Sequence, residues 1–173
     1  MKKEIRLLIA FTIAIVSICA FDSCKKDKNT DMIDKELYDM AKSTTGFAWY
    51  KDSEALLDKS SGSGHTQPFL RTRYNSVAST QLDANGQVKA AVVFPEGSLI
   101  VKELFSGPAT LDQYAILYKK PDNPNADANG WVWGYVKADG TVVEPASNKG
   151  NACITCHSQT DNINYTLMNK FFP

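Results

Sequence analysis

The sequence has no excess of charge of either sign, no long membrane-spanning apolar run and few cysteines. Its 173 residues carry 19 Lys and Arg against 19 Asp and Glu. Such a balance lacks the basic surface with which nucleic-acid-binding proteins neutralise phosphates, so nucleic acid is not expected as a partner. A hydrophobic fraction of 43% and a charged fraction of 22% are typical of a globular protein of about one domain.

The N-terminus has the pattern of a targeting segment. A cationic start (MKKEIR) precedes an apolar run over residues 7–21, which is too short for a comfortable membrane span and indicates a secretory signal. Ser23 then precedes Cys24, and a polar, lysine-rich run follows. This arrangement resembles the lipobox of bacterial lipoproteins, with Phe21 and Asp22 standing where that pattern usually has Leu and a small residue.

The lipobox resemblance implies a lipid-anchored protein. Residues 1–23 would be the cleaved signal peptide, Cys24 the acylated first residue, residues 24–31 a tether and residues 32–173 the folded domain. The protein would be exported to a bacterial cell envelope and held at a membrane, facing the periplasm or the cell surface. The alternative is a plain cleaved signal with a free Cys24.

Two cysteines remain for the exported domain, since Cys19 is discarded with the signal and Cys24 carries lipid. They are Cys153 and Cys156, in the pentapeptide C-I-T-C-H that ends at His157. This is the C-x-x-C-H attachment motif of c-type haem, in which the two thiols bind the porphyrin and the imidazole binds the iron. The motif therefore predicts one covalently attached haem c, with His157 as the iron ligand.

Three other interpretations of the pentapeptide stay open. A redox-active disulfide would be expected to follow a strand in a thioredoxin-like βαβ unit, and no such alternation precedes Asn151. A zinc site needs two further ligands, whereas the other histidine of the chain is His65. The pentapeptide also could have arisen by chance.

The segments between the termini predict helices first and strands afterwards. Apolar residues recur at helical spacing at Ile33, Leu37 and Ala41, and a further helical turn is predicted at residues 54–57. Apolar and β-branched segments predict six strands, at residues 69–74, 88–94, 98–105, 113–118, 131–136 and 141–143. Residues 121–130 predict a surface loop. The expected fold class is α+β, a mostly antiparallel β-sheet with peripheral N-terminal helices and a C-terminal haem-attachment segment.

The haem motif lies close to the C-terminus, unlike its position in small electron-carrier cytochromes. Met168 follows it, but the apolar neighbours of Met168 favour core packing over a role as the sixth iron ligand.

Four segments in this order resemble the cytochrome P-460 family, whose relatives include cytochrome c prime-beta. The resemblance covers about residues 65–173 and rests on residues 71–78 (RTRYNSVA), 94–103 (FPEGSLIVKE), 130–135 (GWVWGY) and the C-terminal C-x-x-C-H motif. It implies a mostly antiparallel β-fold, a five-coordinate haem with His157 as proximal ligand, and a homodimer. The type enzyme oxidises hydroxylamine and has a lysine bonded to the porphyrin edge, whereas the cytochrome c prime-beta branch lacks that lysine and binds nitric oxide.

Lys102 is the residue that matches the cross-linking lysine of the family. In a strand, Ile100, Lys102 and Leu104 point the same way, so the lysine stem would lie between aliphatic neighbours. A desolvated lysine loses its proton more readily and becomes the neutral nucleophile that addition to an oxidised porphyrin carbon requires. The alternative is an edge-strand lysine with its amine in water. Lys89 is the reserve candidate.

Arg71 and Arg73 share one strand face and are candidates for the haem site. Arg71 would pair a haem propionate and Arg73 would hydrogen-bond a ligand on the iron, against the alternative of a solvated strand face. Glu96 and Glu103 are the carboxylates nearest Lys102 in sequence, and a structural role is favoured for both. His65 is a minor candidate for a sixth ligand.

Three aromatic residues alternate along one predicted strand: Trp131, Trp133 and Tyr135. Packing in the core or at the haem edge is favoured for them over redox chemistry.

These patterns together predict a lipid-anchored monohaem c-type cytochrome. It would oxidise or bind small nitrogen species, hydroxylamine or nitric oxide, at an open distal iron site, and exchange electrons with a redox partner protein. One alternative is a non-catalytic electron-transfer or gas-binding haem protein. Another is a solute-binding or structural lipoprotein without haem.

Overall fold

The structure, a computed structural model, describes residues 28–173. The predicted signal peptide and Cys24 lie outside the described residues. Within the described part, no helix combines the length and the apolar character needed to cross a membrane.

The described chain forms one antiparallel sheet flanked by short helices. The helices are α1 (Lys28–Lys42), α2 (Ser76–Ser79), α3 (Asn151–His157) and α4 (Met168–Phe171), with 3-10 turns at Tyr50–Asp52 and Ala146–Asn148. The strands are β1 (Ala48–Trp49), β2 (Leu57–Asp58), β3 (Phe69–Tyr74), β4 (Leu99–Gly107), β5 (Thr110–Lys119), β6 (Trp131–Lys137) and β7 (Val142–Glu144). They pair in the order β1-β3-β4-β5-β6-β7, and β2 also pairs with β3.

Each face of the sheet has its own apolar core. Helix α1 covers one face, where its buried Ile33, Leu37 and Ala41 pack in a cluster with Val101 and Ile116. The helical spacing of these three residues explains why they share one buried stripe. The second face carries larger and more aromatic side chains: Tyr74, Phe94, Ile100, Leu117, Trp131 and Trp133. The C-terminal helices α3 and α4 cover this second face, so the C-x-x-C-H segment packs against an aromatic core.

The predicted fold class is confirmed. Strand β3 has the predicted bounds, and β4, β5, β6 and β7 lie on the predicted segments, within three residues at each end. The predicted loop at residues 121–130 is confirmed as a series of turns.

The predicted helical turn at residues 54–57 is wrong. Leu57 is paired with Leu70 in the sheet, and the carbonyl of Glu54 accepts a hydrogen bond from Arg71 at 3.2 Å. Sheet pairing and a side-chain donor satisfy this backbone, and these tertiary partners outweigh the local helical preference.

The predicted strand at residues 88–94 is also wrong. At both ends of this segment the backbone forms hydrogen bonds with asparagine side chains and not with a neighbouring strand. Asn169 accepts from the N–H of Val88 at 3.2 Å and donates to its carbonyl at 2.7 Å, and Asn164 accepts from the N–H of Phe94 at 3.0 Å. The segment therefore buries Val88 and Phe94 without joining the sheet.

Candidate functional site

A cavity of about 280 Å³ lies between the second sheet face and the C-terminal segment. Its wall includes Cys153, Cys156 and His157 from α3, Lys102 from β4 and His65 from the loop before β3. The volume is just below the range of about 300–1,000 Å³ for small-molecule sites. Most of the remaining wall is apolar or aromatic, including Ile100, Leu117, Trp133, Tyr135, Tyr165 and Met168.

Helix α3 explains why the motif residues reach the same cavity. Positions three and four apart lie on one helix face, so Cys153, Cys156 and His157 are neighbours on a single side of α3. Both cysteines are free thiols. A C-x-x-C-H sequence on a helix thus presents two sulfur atoms and one imidazole to the same space.

Gly150 fixes how α3 starts. It has a φ of 72°, in the left-handed region that glycine occupies without strain. A Cβ added there would lie 2.6 Å from the ring of Trp133. The Gly150 carbonyl accepts hydrogen bonds from the N–H groups of Cys153 and Ile154, each at 2.8 Å. The helix therefore begins in direct contact with the aromatic wall of the cavity.

A tight turn after the motif orients His157. The carbonyl of Tyr165 lies 2.7 Å from Nδ1 of His157, so Nδ1 donates its proton there and Nε2 is the nitrogen left for a metal. Ile163 and Thr166 close this two-residue turn by exchanging backbone hydrogen bonds, each at 2.9 Å. Asn164 and Tyr165 both have positive φ, as a type I′ turn requires.

Burial keeps both histidines of the cavity neutral. It lowers the pKa of His157 to about 4, and the nearby amine of Lys102 contributes in the same direction. The pKa of His65 falls to about 3 for the same two reasons, burial first. Neutral imidazole is the form that binds a metal ion.

Lys102 lies in the cavity wall and not in solvent. It faces Thr72 across the β3–β4 pair, and both residues line the cavity. Burial lowers the pKa of the Lys102 amine to about 8. A much larger fraction of this amine is therefore neutral near pH 7 to 8 than of an ordinary lysine.

The structure does not bring Arg71 and Arg73 to this cavity. Their side chains lie on the other sheet face, where Nε of Arg71 is 2.6 Å and Nε of Arg73 is 2.9 Å from the Glu103 carboxylate. Arg73 is fully buried and also donates to the carbonyls of Ala41 and Ser43. The expectation that these arginines pair a propionate or an iron ligand is corrected: they hold β3, β4 and the end of α1 together.

We expect Arg73→Met to lower the free energy of unfolding by about 3 kcal/mol, because breaking a buried ion pair leaves Glu103 without one of its two partners. Cofactor binding in the cavity should be unchanged. Denaturant unfolding monitored by circular dichroism measures the loss. Lys35→Met is the matched control, because it removes a lysine from the exposed pair with Asp39 and should cost at most about 1 kcal/mol.

The contradicting result would be an Arg73→Met protein of normal stability with altered cofactor binding. That outcome would indicate that Arg73 contributes to the functional site.

Several other predicted residues have structural positions. Glu96 and Lys89 are exposed, and neither belongs to the cavity wall. Met168 lines the cavity, but its sulfur accepts a hydrogen bond from the Thr72 hydroxyl at 3.2 Å, as expected of a packing residue. Trp131 is fully buried in the core beside the cavity.

Three groups of the site were not predicted from the sequence. Thr72 and Glu144 line the cavity, and the Tyr165 carbonyl holds His157. The position of Thr72 in the cavity wall follows only from the pairing register of β3 with β4, which places it opposite Lys102. The turn at Asn164 and Tyr165 has an asparagine, which favours positive φ, but a tyrosine where glycine usually follows, so its sequence indicates the turn only weakly.

The donor set of the cavity fits a c-type haem. Two free thiols, an imidazole with Nε2 available and an apolar aromatic wall are what covalent attachment and proximal ligation require. Among residues 28–173 no group of three or more His, Cys, Asp or Glu side chains is arranged to hold a metal ion. A haem iron brings its equatorial ligands with the porphyrin and takes its axial ligand from the protein.

Comparisons of the chain with family models, with curated proteins and with solved structures found no match.

Proposed function

We propose that this protein is an exported, lipid-anchored monohaem c-type cytochrome of the P-460 family that oxidises or binds small nitrogen species. Hydroxylamine and nitric oxide are the ligands in question, and a redox partner protein exchanges electrons with it. The observation that carries the proposal is the convergence of Cys153, Cys156, His157 and Lys102 on one apolar cavity.

The residues of the cavity would hold the haem and would provide the surroundings of its iron. Cys153 and Cys156, both free thiols, would hold the haem through two thioethers. His157 would offer Nε2 to the iron, because its Nδ1 donates to the Tyr165 carbonyl. When bound, haem supplies an iron that binds small nitrogen species and exchanges electrons. The cavity wall is mainly apolar and aromatic, and charged groups interact more strongly in such surroundings than in water.

In this proposal, Lys102 determines whether the protein oxidises its ligand or only binds it. Its amine is buried in the same cavity, with its pKa lowered to about 8. A neutral amine is a nucleophile, and the family resemblance assigns this lysine to a bond with the porphyrin edge. We propose that the bond forms here when an added oxidant of the peroxide class is present: a C–H bond of the porphyrin edge would be replaced by a C–N bond to Lys102, and the oxidant would take up the two protons and two electrons released. We propose further that this bond accompanies hydroxylamine oxidation.

Expression with a cytochrome c maturation system tests the proposal. The intact mass after acid-acetone extraction should retain one haem per chain, and the ferrous optical spectrum should show a strongly red-shifted Soret band if the porphyrin is cross-linked. An ordinary Soret band with covalent haem would leave nitric oxide binding or electron transfer as the function. A haem-free polypeptide would refute the proposal.

We expect Cys24→Ser to release the protein from the membrane into the soluble envelope fraction, because Cys24 is the proposed site of acylation. Membrane fractionation followed by haem staining measures the change, and the haem content should stay the same. Unchanged membrane association would contradict the lipid anchor.

The oligomeric state expected from the family resemblance, a homodimer, is measured on the released protein by light scattering.

A further inference from the structure

A second imidazole, that of His65, lies close to the first one in the wall of the same cavity. The ring centroids of His65 and His157 are 6.3 Å apart, and their planes meet at 77°. A metal–imidazole bond of about 2.0 Å puts a ring centroid about 3 Å from the metal, so two imidazoles on opposite sides of one metal have centroids about 6 Å apart. Each ring turns independently about its own bond, so the steep angle between the planes is compatible with this arrangement.

The hydrogen bonds of the two rings leave equivalent nitrogens available. Nδ1 of His157 contacts the Tyr165 carbonyl at 2.7 Å, and Nδ1 of His65 lies 3.4 Å from the Tyr135 hydroxyl. Metal-binding histidines commonly donate one ring N–H to an oxygen in this way, which directs the other nitrogen to the metal. In both rings Nε2 is the nitrogen that remains.

The hydroxyl that holds His65 is itself anchored. Tyr135 donates to Gln67 at 3.5 Å and accepts from Gln113 at 3.5 Å. Gln67 in turn donates to the Asp112 carboxylate at 2.6 Å. This polar chain fixes the acceptor for Nδ1–H of His65 on the strand frame, so the orientation of the ring does not depend on its loop alone.

We propose that His65 is a second axial ligand that closes the distal iron position of the resting protein through Nε2. This inference rests on the proposed function, and it departs from the five-coordinate haem that the family resemblance implies. A small nitrogen ligand would enter by displacing His65, with no change in oxidation state and with Nδ1 of His65 keeping its proton. The open site of the proposed function would then exist only after this displacement.

Electron paramagnetic resonance and optical spectra of the ferric holoprotein test the assignment. The wild type should be six-coordinate and low-spin, and His65→Ala should convert it to high-spin with covalent haem retained. Added imidazole should restore the low-spin signal of His65→Ala. Tyr135→Phe, which removes only the acceptor of Nδ1–H, should raise the high-spin fraction and remains informative if His65→Ala fails to mature.

Lys102→Met serves as the control for the other nitrogen donor of the cavity, and it should keep the low-spin resonance. A high-spin wild type, or a low-spin signal that persists in His65→Ala, would overturn the assignment. So would loss of the signal in Lys102→Met with retention in His65→Ala. Absence of covalent haem from the wild type refutes the proposed function itself, whereas attached haem with a spectrum independent of His65 refutes only this inference.

Discussion

Changing Cys153 and Cys156 to serine together should abolish covalent haem attachment. Both thiols line the cavity and neither forms a disulfide, so each is available to form a thioether. A serine hydroxyl does not replace the thiol in this reaction, because the thiolate is the far stronger nucleophile. The intact mass after acid-acetone extraction should be that of the bare polypeptide.

The single variants and a distant cysteine provide the controls. Cys153→Ser and Cys156→Ser should each keep one thioether to the haem. The yield of holoprotein should be lower for both single variants than for the wild type. Cys24→Ser removes a cysteine from the proposed lipid site and should leave the haem mass unchanged. Retention of covalent haem in the double variant would contradict the assignment of the motif, and so would equal loss of haem in Cys24→Ser.

The local patterns of this sequence were sufficient to predict most of the sheet. Strand β3 is predicted from its aromatic and β-branched residues and lies where expected, since such residues favour strands. Residues 88–94 look equally strand-like, but Asn164 and Asn169 satisfy their backbone. Those partners are about 70 to 80 residues away in the chain, so no local pattern predicts them.

The placement of the arginines depended on register, which single strands do not reveal. Residues directly opposite in an antiparallel pair point to the same face. Because Thr72 pairs with Lys102 and Arg71 with Glu103, the lysine and the arginines lie on opposite faces. A shift of one residue in this pairing would have put them together.

The orientation of the key imidazole was beyond sequence reasoning for a different reason. The C-x-x-C-H spacing predicts that His157 lies beside the cysteines, and the helical geometry of α3 agrees. Its Nδ1 partner, however, is a backbone carbonyl, which every residue carries. The left-handed conformations at Asn164 and Tyr165 direct that particular carbonyl to the ring. Asn164 favours this conformation, but Tyr165 does not, so the turn could not be predicted from the two residues.

Lys102→Met should separate oxidation from binding. If the amine forms the bond to the porphyrin edge, the variant loses the red-shifted Soret band and the cross-linked peptide in a proteolytic digest. Hydroxylamine oxidation should be lost together with the bond, because in the proposed function the bond accompanies that activity. Nitric oxide binding to the ferrous protein should persist, because His157 and both thiols are untouched. Lys89→Met is the matched control, since Lys89 is exposed and outside the cavity wall.

The pH at which the bond forms gives an independent test of the same lysine. Burial lowers the pKa of Lys102 to about 8, so the neutral amine increases as the pH rises through 8. Between pH 7 and pH 9 the neutral fraction of such an amine rises about tenfold and then levels off, whereas an ordinary lysine near pKa 10.4 keeps increasing beyond pH 9. The initial rate of cross-link formation in newly matured protein, started by adding a peroxide as the two-electron oxidant and followed by the Soret shift, should level off above pH 9. A rate that keeps rising to pH 10, or a Soret band that Lys102→Met leaves unchanged, would remove Lys102 from the chemistry and leave a haem protein that binds its ligand without oxidising it.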